Sequence, residues 1–300
     1  MKLKSLFAIL SLTLLTSLAF GQGQDFSKVE MKATKVAGNV WMLEGSGGNI
    51  GVSVGPDGLL IVDDQFAPLA DKIKAALKNL GEGKLKFVIN THWHGDHTGS
   101  NAIFGLEVPI IAQSNVRKRL GSESTNRAGQ KVPAAPKAAL PIITFDETLS
   151  VHFNGEEIKA IHYPNGHTDG DGIIFFTGSN VVHMGDDMMT GSFPFIDLNS
   201  GGSVEGIVRN IGNVLAKLPP DVKIIPGHGP LATIENVRQY QQVLVETVDI
   251  VRKQMLAGKS VEEIKAAGLP AKYESWGKGF ISTPIWIETI FKSLSASAGK

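Results

Sequence analysis

Six consecutive positions, His92-Trp93-His94-Gly95-Asp96-His97, constrain this chain more than any other stretch of it. They carry three imidazoles and one carboxylate, and they follow directly on 85–89, a run apolar enough to be a strand covered on both faces. Four such side chains packed together leave polar groups unsatisfied unless a counter-charge joins them. A divalent cation resolves the conflict, because neutral imidazoles donate lone pairs and the carboxylate offsets charge. The chain has no cysteine, which excludes disulfides, thiolate ligands and a cysteine nucleophile. Any metal must therefore be held by histidine and carboxylate. The alternate residues His92 and His94 point one way, and Asp96 and His97 can turn toward a second ion.

Three later positions fit the same chemistry: His167 in Gly166-His167-Thr168, Asp186 in Gly185-Asp186-Asp187, and His228 in Pro226-Gly227-His228-Gly229-Pro230. Each sits on a glycine-rich turn at or near an expected strand end, where α/β folds gather their binding loops. The other strand histidines, His152, His162 and His183, read as packed or solvent-facing, since strand alternation accounts for them.

The surrounding pattern is that of a layered α/β protein. Strands are expected over 40–43, 50–54, 59–62 and 85–89, with a helix opening at Pro68 and stopping at Gly81. A second set of strands is expected over 142–145, 149–153, 157–162, 173–176, 181–184 and 224–225. Ser203 should cap a helix through Leu218. Further helices are expected over 234–256, over 261–267 with a Ser260/Glu263 capping box, and from Thr283 onward. Residues 51–64 and 173–187 echo each other: strand, glycine-containing turn, strand, then paired aspartates. Residues 121–141 are polar, proline-bearing and without periodicity, which suits either a functional lid or a disordered loop.

The first 21 residues read as a cleaved export signal rather than part of the fold. Lys2 and Lys4 precede an apolar run over 6–19, and Ala19 and Gly21 supply small residues for cleavage. A membrane anchor is the competing reading, disfavoured by the short run. Residues 22–300 are then expected to form one domain, exported to the periplasm or secreted, with no stable membrane insertion afterward. The 29 basic and 29 acidic residues are interspersed, which argues against a nucleic-acid partner and leaves a small-molecule substrate.

The His-x-His-x-Asp-His motif, the later His167, the Gly-Asp at 185–186 and the Pro-Gly-His-Gly at 226–229 occur in the order found in the metallo-β-lactamase superfamily, and the chain resembles that family from about Gly38 to Pro230. The resemblance implies a four-layer αββα sandwich with the site at one edge of two sheets. It implies His92, His94 and His167 on one metal, Asp96, His97 and His228 on a second, and Asp186 bridging both. Two zinc ions so held share a water and lower its pKa toward ~7, giving a metal-bound hydroxide, with Asp96 as the catalytic residue that orients it and takes up its proton. Iron or manganese also suits an imidazole and carboxylate set. Asp63 matches the family's early aspartate, whose role is orienting or structural, and a strand-end turn residue is the alternative. The true lactamases often carry a lysine three residues after the position of Asp186; here it is Met189. Phe193-Pro194-Phe195-Ile196-Asp197 with Gly201-Gly202 resembles lactamase-like exported hydrolases. Asn199 and Trp93 each have a substrate-facing and an ordinary reading. The expected function is an exported dinuclear zinc hydrolase opening an amide or ester bond, a β-lactam or lactone ring among the candidates. A glyoxalase II-like thioester hydrolase or a mononuclear iron oxygenase is the alternative, and a metal-binding protein that has lost catalysis is a third.

Overall fold

The computed structural model describes residues 25–125 and 129–298, so the expected export signal at 1–21 lies outside the described residues. The first sheet runs β1 (Lys32–Ala37), β2 (Val40–Glu44), β3 (Ile50–Gly55), β4 (Gly58–Val62), β5 (Leu85–Ile89) and β6 (Ile110–Gln113). A two-stranded hairpin, β7 (Ser124–Thr125) with β8 (Lys131–Val132), stands apart, and β9 (Ile143–Phe145) closes the sheet beside β6. β1 to β4 pair antiparallel, whereas β4, β5, β6 and β9 are parallel. The second sheet is ordered β10 (Thr148–Phe153), β11 (Glu156–His162), β12 (Gly172–Phe176), β13 (Val181–His183), β14 (Lys223–Ile225) and β15 (Ala232–Thr233), with only the β13–β14 pair parallel. The echo between 51–64 and 173–187 is therefore structural: each half contains an antiparallel hairpin (β3–β4, β12–β13) whose second strand adds a parallel neighbour.

Strand alternation makes the layers. In β4, Leu60 and Val62 point into a core shared with Ile158, Ile174 and Phe176 of the second sheet, while Leu59 and Ile61 point the other way. There they meet Ile73 and Leu77 of α1 (Ala70–Leu80), whose apolar residues recur at helical spacing. α2 (Gly95–Thr98), α3 (Asn101–Phe104) and α4 (Ser114–Leu120) complete the first half. The outer face of the second sheet is covered by α5 (Val204–Leu215), α6 (Ile234–Leu256), α7 (Val261–Ala267) and α8 (Thr283–Ala298), around Tyr240, Trp276 and Trp286. The result is the expected αββα sandwich. Ser203 caps α5, and Ser260 with Glu263 forms the capping box of α7. Residues 121–141 carry the β7–β8 hairpin and a 3-10 turn, Lys137–Ala139, against which Asn101 donates to the Ala139 carbonyl at 3.1 Å; residues 126–128 lie outside the described residues.

Candidate metal centre

The His92–His97 segment is held by its neighbours before any metal is considered. β5 ends in fully buried Val88 and Ile89, and the chain leaves the strand at Asn90-Thr91. Asp63, at the end of β4 in the left-handed region (φ 66°), accepts from Thr91 N at 2.7 Å and from Thr91 Oγ1 at 2.8 Å. Asp63 is thus an anchor for the metal-motif loop, and the strand-end turn reading is too weak. α2 then turns the chain so that His97 lies under His92, ring centres 4.2 Å apart.

Outer partners decide which nitrogen of each histidine faces inward. His97 Nδ1 donates to Asp63 Oδ2 at 2.7 Å, His167 Nδ1 to the Phe195 carbonyl at 2.6 Å, and His94 Nε2 to Asp197 Oδ2 at 3.0 Å. The Thr91 hydroxyl spends its proton on Asp63, so it accepts from His92 Nδ1 at 3.1 Å. For His92, His94 and His167 the opposite nitrogens are left with lone pairs that face one another: His94 Nδ1 lies 3.1 Å from His92 Nε2 and 2.8 Å from His167 Nε2. His97 Nε2 lies 3.4 Å from His228 Nε2, with the Asp96 and Asp186 carboxylates beside both rings. Unprotonated nitrogens at such distances repel; a cation among them turns the repulsion into coordination. The donor set therefore fits metal ions.

All seven residues anticipated from the motifs converge. Ligand atoms lie within 4.8 Å of one another in three groups: His92, His94 and His167; His92, His97 and Asp186; and Asp96, His97 and His228. The two Asp186 oxygens divide between them. Oδ2 is 4.0 Å from His92 Nε2 and 3.6 Å from His167 Nε2, while Oδ1 is 3.1 Å from His97 Nε2 and 3.5 Å from His228 Nε2. Oδ1 is buried with no hydrogen-bond partner, the mark of an atom awaiting a cation. Asp96 Oδ2 sits 3.2 Å from His228 Nε2.

The electrostatics follow from burial and these pairings. Burial pushes His92 well below the usual imidazole range and His167 down to about 4, which keeps both as neutral donors. Burial opposes the charge on Asp186, but His228, His97 and His167 outweigh it and hold the carboxyl well below its ordinary value. Asp96 is likewise brought down to about 2 by His97 and His228 against the cost of burial. His228 shows the reverse balance: burial disfavours its charge, yet Asp186 and Asp96 raise it to about 9. Metal uptake near neutral pH must displace that proton.

Glycines line the inner wall because nothing larger fits. A Cβ on Gly48 would stand 2.1 Å from His97 Cε1, and one on Gly227 2.1 Å from Asp186 Oδ1. The outer wall is aromatic. Trp93 lies 5.0 Å from His94 ring to ring, with its indole N–H lacking a partner and the Arg119 guanidinium 5.9 Å from its ring; Arg119 is itself locked to Asp169 by bonds of 2.6 and 2.7 Å. Phe195 stands 5.8 Å from His94 and 5.7 Å from His167. Met189, buried, pairs its backbone with His228 rather than presenting a cation. Asn199 is exposed in the Leu198–Ser200 turn. Of the strand histidines, His152 is exposed, His162 half-buried, and His183 fully buried and hydrogen-bonded.

Sequence reasoning passed over the roles of Asp197, the Phe195 carbonyl and Asn49. Asp197 lies within a stretch noted for its resemblance, but its partner His94 is 103 residues away and no local spacing joins them.

The metallo-β-lactamase superfamily model matches residues 33–228. The chain belongs to this superfamily. It is a metal-binding hydrolase of that fold. Among relatives of this superfamily member, metallo-β-lactamase type 2 of Bacteroides fragilis is 20% identical over 170 residues, 57% of this chain and 64% of that protein. Hydroxyacylglutathione hydrolase GloC of Haemophilus influenzae is 30% identical over 157 residues, 50% of this chain and 71% of that one. The crystal structure of DIM-1 metallo-β-lactamase shares the fold with a TM-score of 0.59 at 19% identity, covering 73% of this chain and 99% of that one.

Proposed function

We propose that this chain is an exported dinuclear zinc hydrolase, periplasmic or secreted, that opens an amide or ester bond, with a β-lactam or lactone ring as the substrate class. The observation that carries the reading is Asp186, whose two oxygens face different sets of imidazoles. His92, His94 and His167 would hold one ion and Asp96, His97 and His228 the other, with Asp186 reaching both. Zinc, when bound, would supply Lewis acidity and a water acidified toward neutral pH. Asp96, 28% exposed at the side chain and ionised at neutral pH, would orient the attacking water and take up its proton. Asp63 and Asp197 would hold the His97 and His94 rings in orientation, and Trp93 and Phe195 would flank the scissile group with apolar surface that excludes water. The apolar run at 6–19 between Lys4 and Ala19 supports export.

Elemental analysis of the purified protein together with a nitrocefin, lactone and thioester panel tests this. Two zincs per chain and cleavage of a ring substrate are expected, with cleavage lost in Asp96→Ala while the fold survives. Zinc-loaded protein that leaves the whole panel intact would overturn it. Thioester hydrolysis is the second reading, favoured by the 30% identity to a protein named hydroxyacylglutathione hydrolase. One iron per chain would point instead to oxygen chemistry.

A further inference from the structure

We propose that Asn49 and His183, which do not belong to the ligand set, are positioning residues that clamp the two loops carrying Asp186 and His228 and so set the affinity of one of the two metal positions. The inference rests on the two-ion reading above. Asn49 is buried, immediately before β3, and bonds three carbonyls of the Pro226–Gly229 turn, whose other backbone bonds run from Gly227 N to the Gly185 and Met188 carbonyls and from Thr190 N to the His228 carbonyl. Its side-chain Nδ2 donates to the Pro226 carbonyl at 2.9 Å and to the Gly229 carbonyl at 2.8 Å, while its backbone N donates to the Gly227 carbonyl at 2.8 Å. The carbonyls on both sides of His228 are thereby held from the first half of the molecule.

The fourth bond of Asn49 reaches the other loop. Its carbonyl accepts from His183 Nε2 at 2.9 Å, and His183 Nδ1 in turn accepts from Gly185 N at 3.1 Å, one residue before Asp186. These two bonds fix the tautomer: the proton sits on Nε2, and Nδ1 must stay bare to take the Gly185 N–H. A buried relay thus runs from the Gly185–Asp186 loop through His183 and Asn49 to the loop of His228.

The relay matters most for His228. His97 is fully buried and oriented by Asp63, whereas the His228 side chain is 33% exposed and has only Asp96, Asp186 and the bare face of His97 beside its Nε2. Its position is set through its backbone, which Asn49 holds at the flanking Gly227 and Gly229 carbonyls while Thr190 N donates to the His228 carbonyl at 3.1 Å. Replacing the amide by a carboxylate points oxygen at two carbonyls, which reverses the interaction without changing the size of the side chain.

The test is zinc binding, read in competition with a chromogenic chelator on the full-length protein, alongside circular dichroism and melting of the metal-free form. In Asn49→Asp one of the two dissociation constants should rise about tenfold or more, the other staying put, with the metal-free fold intact. His183→Gln, which keeps the donor toward Asn49 but loses the acceptor for Gly185, should weaken the position of His228 by less than Asn49→Asp does and still more than the other position, and it carries the test if Asn49→Asp does not fold. Both constants unchanged, or both weakened alike, would overturn the positioning role. A wild-type chain that takes up a single ion would sink the two-ion reading. In that case a fall in the affinity of that ion in Asn49→Asp still supports the clamp, and an unaltered affinity removes the clamp as well.

Discussion

The two halves of the molecule end their central hairpins alike and use the endings differently. β3–β4 runs into Asp63-Asp64 and β12–β13 runs on to Asp186-Asp187. In the second position of each pair the likeness is close. Asp64 Oδ1 accepts from Ser100 N at 3.0 Å, Asp187 Oδ1 accepts from His167 N at 3.2 Å, and each leaves its other oxygen buried without a partner. Burial raises both carboxyls, Asp187 to about 7 and Asp64 well above its ordinary value, so in both the charged form is disfavoured and the carboxyl serves as a backbone pin. The first positions have diverged. Asp63 has its oxygens satisfied by Thr91 and the outer nitrogen of His97, whereas Asp186 faces the inner nitrogens of His92, His97, His167 and His228. One repeated loop position therefore orients a histidine in one half and faces the inner nitrogens of the candidate metal centre in the other, and the deciding difference is which edge of the imidazole it touches.

The largest effect expected from breaking this comparison is at Asp186. Asp186→Asn removes the charge shared by both ion positions, and hydrolysis should fall by on the order of a thousandfold while bound zinc drops below two per chain, measured by turnover and elemental analysis. Asp63→Asn should do less: it leaves the inner atoms in place and loosens only the Thr91 and His97 anchor, lowering metal affinity by about 10–100-fold in a chelator competition. Equal losses in the two variants would mean that the halves are not divided into ligand and orienter. The smallest effect is at Asp64. Its raised carboxyl contributes stability that is present at low pH and lost as pH rises above about 4 through its folded value. Asp64→Asn keeps the acceptor for Ser100 N, so its melting temperature relative to the wild type should improve as pH is raised from 4 to 8; a constant difference across that range would show that Asp64 is ionised in the fold.

The sequence was most legible where the information is local. β4 and β5 could be read because they are nearly unbroken apolar runs, and α5 because its apolar residues recur at helical spacing behind a serine cap. The seven convergent residues could be read because four lie within six positions and the other three sit in glycine-flanked turns. β1 passed unnoticed because it is an edge strand with no buried residue, β6 because four buried residues are too few to show a period, and α4 because Val116 is its only buried residue. Asn49, His183 and Asp197 were illegible for a different reason. Their partners lie more than a hundred positions away in the chain, and an isolated polar residue carries no mark of what the fold will lay against it.

The glycine wall has a consequence for how such an enzyme changes its diet. Gly48 and Gly227 lie flush against His97 and Asp186, so the floor of the site cannot acquire a side chain without pushing aside a residue of the candidate metal centre. Novelty must therefore enter from the rim, through Trp93, Phe195 and the chain around them, leaving the reactive machinery untouched while new molecules are tried above it.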